Sequence, residues 1–117
     1  MMGAGQVQLL LLVLNRVEKL DDLLEALAEQ GITGATILSS IGMARELASQ
    51  EYQPIFGSSW FLSDPDRKES KTIFLVLSAE QADKVRGVIH RVIGDMTKPD
   101  TAVLFTLPVL SAEGTDF

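Results

Sequence analysis

The first regular pattern in the chain is a short apolar run from Val7 to Leu14, the kind that fills a strand buried in the middle of a sheet. A helical period follows. Leu20, Leu23, Leu24 and Leu27 recur at i, i+3, i+4 and i+7, and Glu18, Lys19, Asp21, Asp22, Glu25 and Glu29 occupy the other face. The acidic residues of the first turn suit the positive end of the helix dipole. Gly31 is the residue expected just past the helix end, where positive φ is needed. Ile32 to Ile41 reads as a second strand, less buried because Thr33, Thr36, Ser39 and Ser40 interrupt it.

Periodicity is lost from Gly42 to Lys71. Pro54, Gly57, Pro65 and the turn signal Asp64-Pro65-Asp66-Arg67-Lys68 predict a long loop, about residues 43–70, into which strand ends and a short helix intrude. Thr72 to Leu77 is a second buried-strand run. Ser78, with Gln81 three residues on, marks a helix start. Ala82, Val85, Ile89, Val92 and Ile93 form that helix's apolar stripe, and Gly94 ends it. Asp95 to Asp100 is a loop, and Ala102 to Leu107 a last strand that Pro108 restricts to a sheet edge. Residues 110–117 form a short tail.

The predicted order is β-α-β, loop, β-α-β, the ferredoxin-like split βαβ arrangement of an α+β fold, in a single domain spanning residues 1–117. The first and third strands are the most apolar and belong at the centre; the second and fourth belong at the edges. Two helices cover one face of such a sheet. Yet Leu10, Leu12, Leu14 and Leu9, Leu11, Val13 point to opposite faces and both sets are apolar, as are Ile73, Leu75, Leu77 against Phe74, Val76. The helix-free face is therefore expected to be buried by self-association, because monomers avoid large exposed apolar patches.

Composition narrows the chemistry. The 117 residues hold no cysteine and one histidine, which excludes disulfides, thiolate sites and a multi-histidine metal site within one subunit. A net charge of −6 argues against nucleic acid, whose backbone needs clustered Lys and Arg. The apolar run from Leu9 to Leu14 is far shorter than the roughly 20 residues of a spanning helix, and no export pattern surrounds it, so a cytoplasmic protein is expected.

Several segments combine into a resemblance. Lys19-Leu20-Asp21-Asp22, Glu25-Ala26-Leu27-Ala28-Glu29, Gly31-Ile32-Thr33-Gly34-Ala35-Thr36 and Gly42-Met43-Ala44-Arg45 resemble the nitrogen-regulatory P-II signalling proteins, from about Leu10 to Arg45. The resemblance implies a trimer that buries the sheet faces centrally, adenine nucleotides held in clefts between subunits, and a T-loop that docks onto a membrane transporter or metabolic enzyme. It implies ligand positions at Leu14, Thr36, Gly42, Met43 and Arg45, with Lys98 in the loop before the last strand, and ATP or ADP as a regulatory ligand. This chain departs from the pattern in four places, the first being Pro54-Ile55-Phe56-Gly57-Ser58-Ser59-Trp60-Phe61 in place of the usual tyrosine-bearing loop tip. Ala44 stands at the family's second glycine. Gly94-Asp95-Met96-Thr97-Lys98-Pro99-Asp100 replaces a glycine-rich loop. No arginines occupy the C-terminal stretch Leu110 to Phe117.

Other candidate chemistry is sparse. Phe56, Gly57, Trp60 and Phe61 concentrate aromatics in the long loop and form the candidate partner-docking surface. His90 lies off its helix's apolar stripe and is expected in solvent. The charges from Asp64 to Glu69 lack cation-loop spacing. Ser39, Ser40, Ser58 and Ser59 lack a nucleophile elbow. The expected function is thus non-enzymatic signalling by a P-II-like homotrimer that senses a small molecule and controls a partner protein. Two alternatives share the fold class: a small enzyme of the dimeric α+β barrel type, and a ligand-independent, CutA-like structural trimer.

Overall fold

A computed structural model describes residues 6–50 and 69–115. The strands are β1 (Val7–Leu14), β2 (Thr36–Ser40), β3 (Ser70–Ser78) and β4 (Ala102–Pro108), and the helices are α1 (Leu20–Glu29), α2 (Met43–Gln50) and α3 (Ala79–Ile93). A single 3-10 turn, Val17–Lys19, leads into α1. The strands form one antiparallel sheet in the order β2-β3-β1-β4, so the two most apolar runs do occupy its centre. Pro108 is the last residue of edge strand β4, where its missing N–H costs no ladder bond to a further strand. Among the described residues, no helix is long and apolar enough to cross a membrane.

The core lies on one side of the sheet. Leu10, Leu12 and Leu14 of β1 and Ile73, Leu75 and Leu77 of β3 are buried beneath Leu23 and Leu27 of α1 and Ala82, Val85, Val88, Ile89 and Ile93 of α3. Register sets this division. Opposed residues of an antiparallel pair share a face, and the ladder opposes Leu10 to Leu75 and Leu12 to Ile73. The alternate set, Leu9, Leu11, Val13, Phe74 and Val76, therefore faces the other way, with Val103, Phe105 and Leu107 of β4 beside it. Among the described residues, no helix covers that face. Phe105 is 49% exposed there, and Leu38, Val103 and Leu107 are exposed as well.

Helix ends follow their local chemistry. α1 closes with two bonds of a Schellman motif: Gly31 N–H donates to the Ala28 carbonyl (2.9 Å) and Ile32 N–H to that of Leu27 (3.0 Å). Gly31 supplies the required positive φ of 79°. α3 starts at Ser78, whose Oγ accepts from the Gln81 N–H (3.3 Å) and donates to Gln81 Oε1 (3.4 Å). The Gln81 side chain thus returns to the cap hydroxyl instead of the cap's backbone N–H. β1 and β4 are tied at one end by Asn15 and Arg16, whose N–H groups both donate to the Thr101 carbonyl at 3.0 and 3.2 Å.

One sequence expectation needs correction. The second strand begins at Thr36, not Ile32, because Ile32 belongs to the helix stop and is buried against the core with Leu27. The short helix expected to intrude into the stretch after Gly42 is present. Met43–Gln50 is helical, its first turn closed by Glu46 N–H donating to the Gly42 carbonyl (3.0 Å).

Candidate functional site

The open face carries a cleft of about 420 Å³ lined by Gly34, Thr36, Phe74, Val76, Gly114 and Thr115. Three pieces of chain build it. β2 supplies Thr36, opposed to Phe74 of β3, and Val76 follows two residues along the same face. The third wall is the tail beyond β4. Val109 N–H still donates to the Val7 carbonyl (3.0 Å), and the chain then passes from the β1 side of the sheet to the β2–β3 side. The lining is aromatic and aliphatic at its base, with the hydroxyls of Thr36 and Thr115 and, among the described residues, no ionisable side chain. Such a volume and lining suit a small, mostly apolar ligand oriented by a few polar groups.

The other expected ligand positions fall elsewhere. Leu14 is 0% exposed within the core beneath the helices. Gly42 and Met43 lie where β2 passes into α2, and Met43 is 78% exposed. Lys98 is exposed in the loop between α3 and β4, its N–H donating to the Asp95 carbonyl (3.4 Å). Leu14, Gly42 and the start of β4 share one end of the sheet, as the opposition of Leu14 to Lys71 and Ala102 and of Ser40 to Ser70 requires. Thr36 lies six residues before Gly42, about 20 Å at strand rise. One chain therefore separates Thr36 from the Gly42–Met43 end. Arg45 belongs to α2. The aromatic positions Phe56, Gly57, Trp60 and Phe61 lie outside the described residues.

Phe74 and Val76 join the cleft without any motif to announce them, since in sequence they belong to a run that reads as core. The alternation of β3 places them on the helix-free face, but only register shows that Phe74 meets Thr36. Gly114 and Thr115 had no sequence signal at all.

The sheet end near Gly42 carries a small polar group. Ser40 Oγ is 2.7 Å from Ser70 Oγ and 2.8 Å from Thr72 Oγ1, and Lys71 Nζ donates to Ser39 Oγ (2.8 Å) from the opposite face. In the loop before β4, the Asp95 carboxylate accepts from the Thr97 hydroxyl (2.6 Å) and the Thr97 N–H (2.9 Å), and these bonds hold its pKa below the ordinary aspartate range. Asp100 in the same loop takes a left-handed φ of 55°. Arg86 of α3 reaches Gln8 (3.1 Å), Thr106 (3.4 Å) and Asp83, fastening the helix to β1 and β4. His90 is exposed. Among the described residues, no three His, Cys, Asp or Glu side chains gather where they could hold a metal ion.

No protein-family model matches the chain, and no curated protein matches it in sequence. Comparison of folds is decisive where sequence is silent. A crystal structure of Arabidopsis thaliana PII bound to citrate superimposes with a TM-score of 0.63 at 15% identity, over 90% of this chain and 78% of that one. The chain has a PII-like fold. A functionally unknown protein from Pediococcus pentosaceus superimposes with a TM-score of 0.61 at 15% identity, over 93% of this chain and 97% of that one. At such identity the likeness concerns the fold, and the cleft must be read from its own residues.

Proposed function

We propose that this protein is a non-enzymatic, cytoplasmic signalling protein that works as a homotrimer, senses a small molecule in clefts between subunits, and controls a partner through residues 43–70. The ligand class is an adenine nucleotide, ATP or ADP. The partner is a membrane transporter or a metabolic enzyme. The observation that carries this reading is the position of Thr36: a residue implied as a ligand position by sequence resemblance lines a small-molecule-sized cleft on the open sheet face.

Two further observations support it. The apolar open face, with Leu9, Leu11, Phe74, Val103, Phe105 and Leu107, has the composition of a surface that assembly buries. The separation of Thr36 from Gly42, Met43 and Lys98 within one chain is what a site shared between copies requires: one copy contributes the cleft for the base, its neighbour contributes Gly42, Arg45 and Lys98 toward the phosphates. A guanidinium and an ammonium suit phosphate oxygens. Among the described residues the cleft lining holds no ionisable side chain, so none of them supplies a general acid or base beside the Thr36 and Thr115 hydroxyls. The ligand then acts by population shift, because it changes the order of residues 43–70 only as far as it binds one state better than another.

The test is a thermal shift with millimolar ATP, ADP and AMP on the native chain and on Arg45→Ala. At about 100 times its dissociation constant a ligand adds roughly 2.7 kcal/mol, which a melting curve resolves. A shift with the native chain that Arg45→Ala loses supports the reading. No shift with any nucleotide contradicts it and leaves a ligand-independent trimer.

A further inference from the structure

We infer that the groove between α1 and the start of β2, on the helix-covered side of the sheet, docks a short partner segment in which aliphatic and basic side chains alternate. The inference does not use the nucleotide reading, because groove and cleft lie on opposite faces of one stretch of chain. Gly34 and Thr36 line the cleft, and Thr33, Ala35 and Ile37 line the groove. Register fixes this alternation. Ile37 opposes Ile73, which is buried beneath the helices, and Thr36 opposes Phe74 on the open face.

The groove has a volume of about 280 Å³. Leu27 and Ile32 are buried at its floor, Leu24 and Ala28 form the α1 wall, and Ala35 and Ile37 form the wall opposite. An apolar cavity of about 150 Å³ holds a benzene ring, so this groove takes one or two aliphatic side chains. It opens to solvent, since Ala28 is exposed and Ile37 is 39% exposed.

Charge selects the occupant. α1 carries Asp21, Asp22, Glu25 and Glu29 and no Lys or Arg. At about 3.6 residues per turn, Asp21 and Glu25 lie about 60° and 100° around the helix from Leu24, on the Ala28 side, so they form the outer lip of the groove. Glu29 sits in the last turn, where the helix carbonyls already concentrate negative charge and a basic residue is the favoured one. The lip therefore attracts cations and repels acidic segments. Lys71, which donates to Ser39 Oγ at 2.8 Å, lies two residues along β3 from Ile73 on the same face. The basic side chains of the partner thus belong at the Glu25–Glu29 end.

Methyl NMR titration of the full chain with a peptide of about eight alternating leucines and lysines tests this. The expected shifts fall on the methyls of Leu24, Ala28 and Ile37, not on Val76 of the open face. Ala28→Phe fills the groove from an exposed position and keeps every charge, and it is expected to weaken binding at least about tenfold. Glu25→Lys, also at an exposed position, leaves the groove open and is expected to weaken binding about threefold to tenfold, a difference that roughly 1 M salt removes. A peptide of alternating leucine and glutamate is expected not to bind. No binding of the leucine–lysine peptide overturns the docking site. Equal binding by Ala28→Phe overturns it too, since the attraction is then charge alone. Equal binding of the leucine–glutamate peptide, or shifts centred on Val76, contradicts the basic partner and the groove respectively. The ATP thermal shift reads the cleft separately, so the two proposals fail independently.

Discussion

Thr36 stands directly opposite Phe74 in the β2–β3 ladder, so a hydroxyl and an aromatic ring share one wall of a cleft on the sheet's open face. The pair predicts the effect of a near-isosteric change. Thr36→Val keeps the shape and removes the hydroxyl. Nucleotide affinity is expected to fall about threefold to tenfold, the range of one net hydrogen bond. The melting temperature without ligand should hold, because Thr36 is exposed and its hydroxyl bonds no other described residue. Calorimetry beside a melting curve reads both numbers.

Phe105 and Leu11 are opposed on the open face, and about half of Phe105 is exposed in a single chain. Phe105→Asp places a charge where a neighbouring copy is expected, and burying an unpaired carboxylate is costly. Sedimentation velocity should show the native chain at three times the mass of one chain and the variant at one. Circular dichroism of the variant should remain folded, since Phe105 contributes nothing to the buried core. A native monomer, or a variant that assembles normally, would contradict the assembly.

Gly31 holds the α1 stop with a φ of 79°, and Ile32 drops into the core behind it. Gly31→Ala introduces a Cβ that meets no neighbour, so its cost is conformational alone. About 1–2 kcal/mol of destabilisation is expected. The urea midpoint should fall while the slope holds, because the same surface is exposed on unfolding.

The two bonds from Thr97 keep the Asp95 carboxylate ionised to lower pH than usual. Its folded pKa lies below its unfolded one, so the bonds stabilise the loop above the unfolded value. That contribution disappears as pH falls through the folded value. A carboxyl-carbon NMR titration should place the Asp95 midpoint lower in the native chain than in Thr97→Val, which lacks the hydroxyl. Coincident midpoints would show that the hydroxyl bond does not form.

Much of this architecture was readable before any coordinates. Alternation along Leu9 to Leu14 and Ile73 to Leu77 puts apolar side chains on both faces of the central strands, and Pro108 can only sit at an edge. Ser78 and Gln81 mark the start of α3, and Gly31 the end of α1. The failures are local and have causes. Ile32 to Ala35 looks like the start of a strand because apolar and small residues alternate there, yet Ile32 is spent on the helix stop. Met43 and Leu47 give α2 only two apolar positions one turn apart, too few for a period to stand out. The cleft was half visible. Thr36 came from the resemblance, but Phe74 and Val76 read as core until the register paired β3 with β2. The path of Leu110 to Thr115 across the sheet has no pattern that encodes it.

The shared site is tested most directly by ATP binding to Gly34→Leu and Arg45→Ala chains, each alone and then unfolded and refolded together. A Cβ at Gly34 meets nothing within 4 Å, so leucine there occupies the cleft without displacing backbone. The account predicts that neither variant binds alone and that the mixture recovers about a quarter of its sites, because random assembly pairs an intact cleft with an intact neighbouring Arg45 that often. Assembled mixtures that recover no binding would place the whole site within one chain and contradict the account.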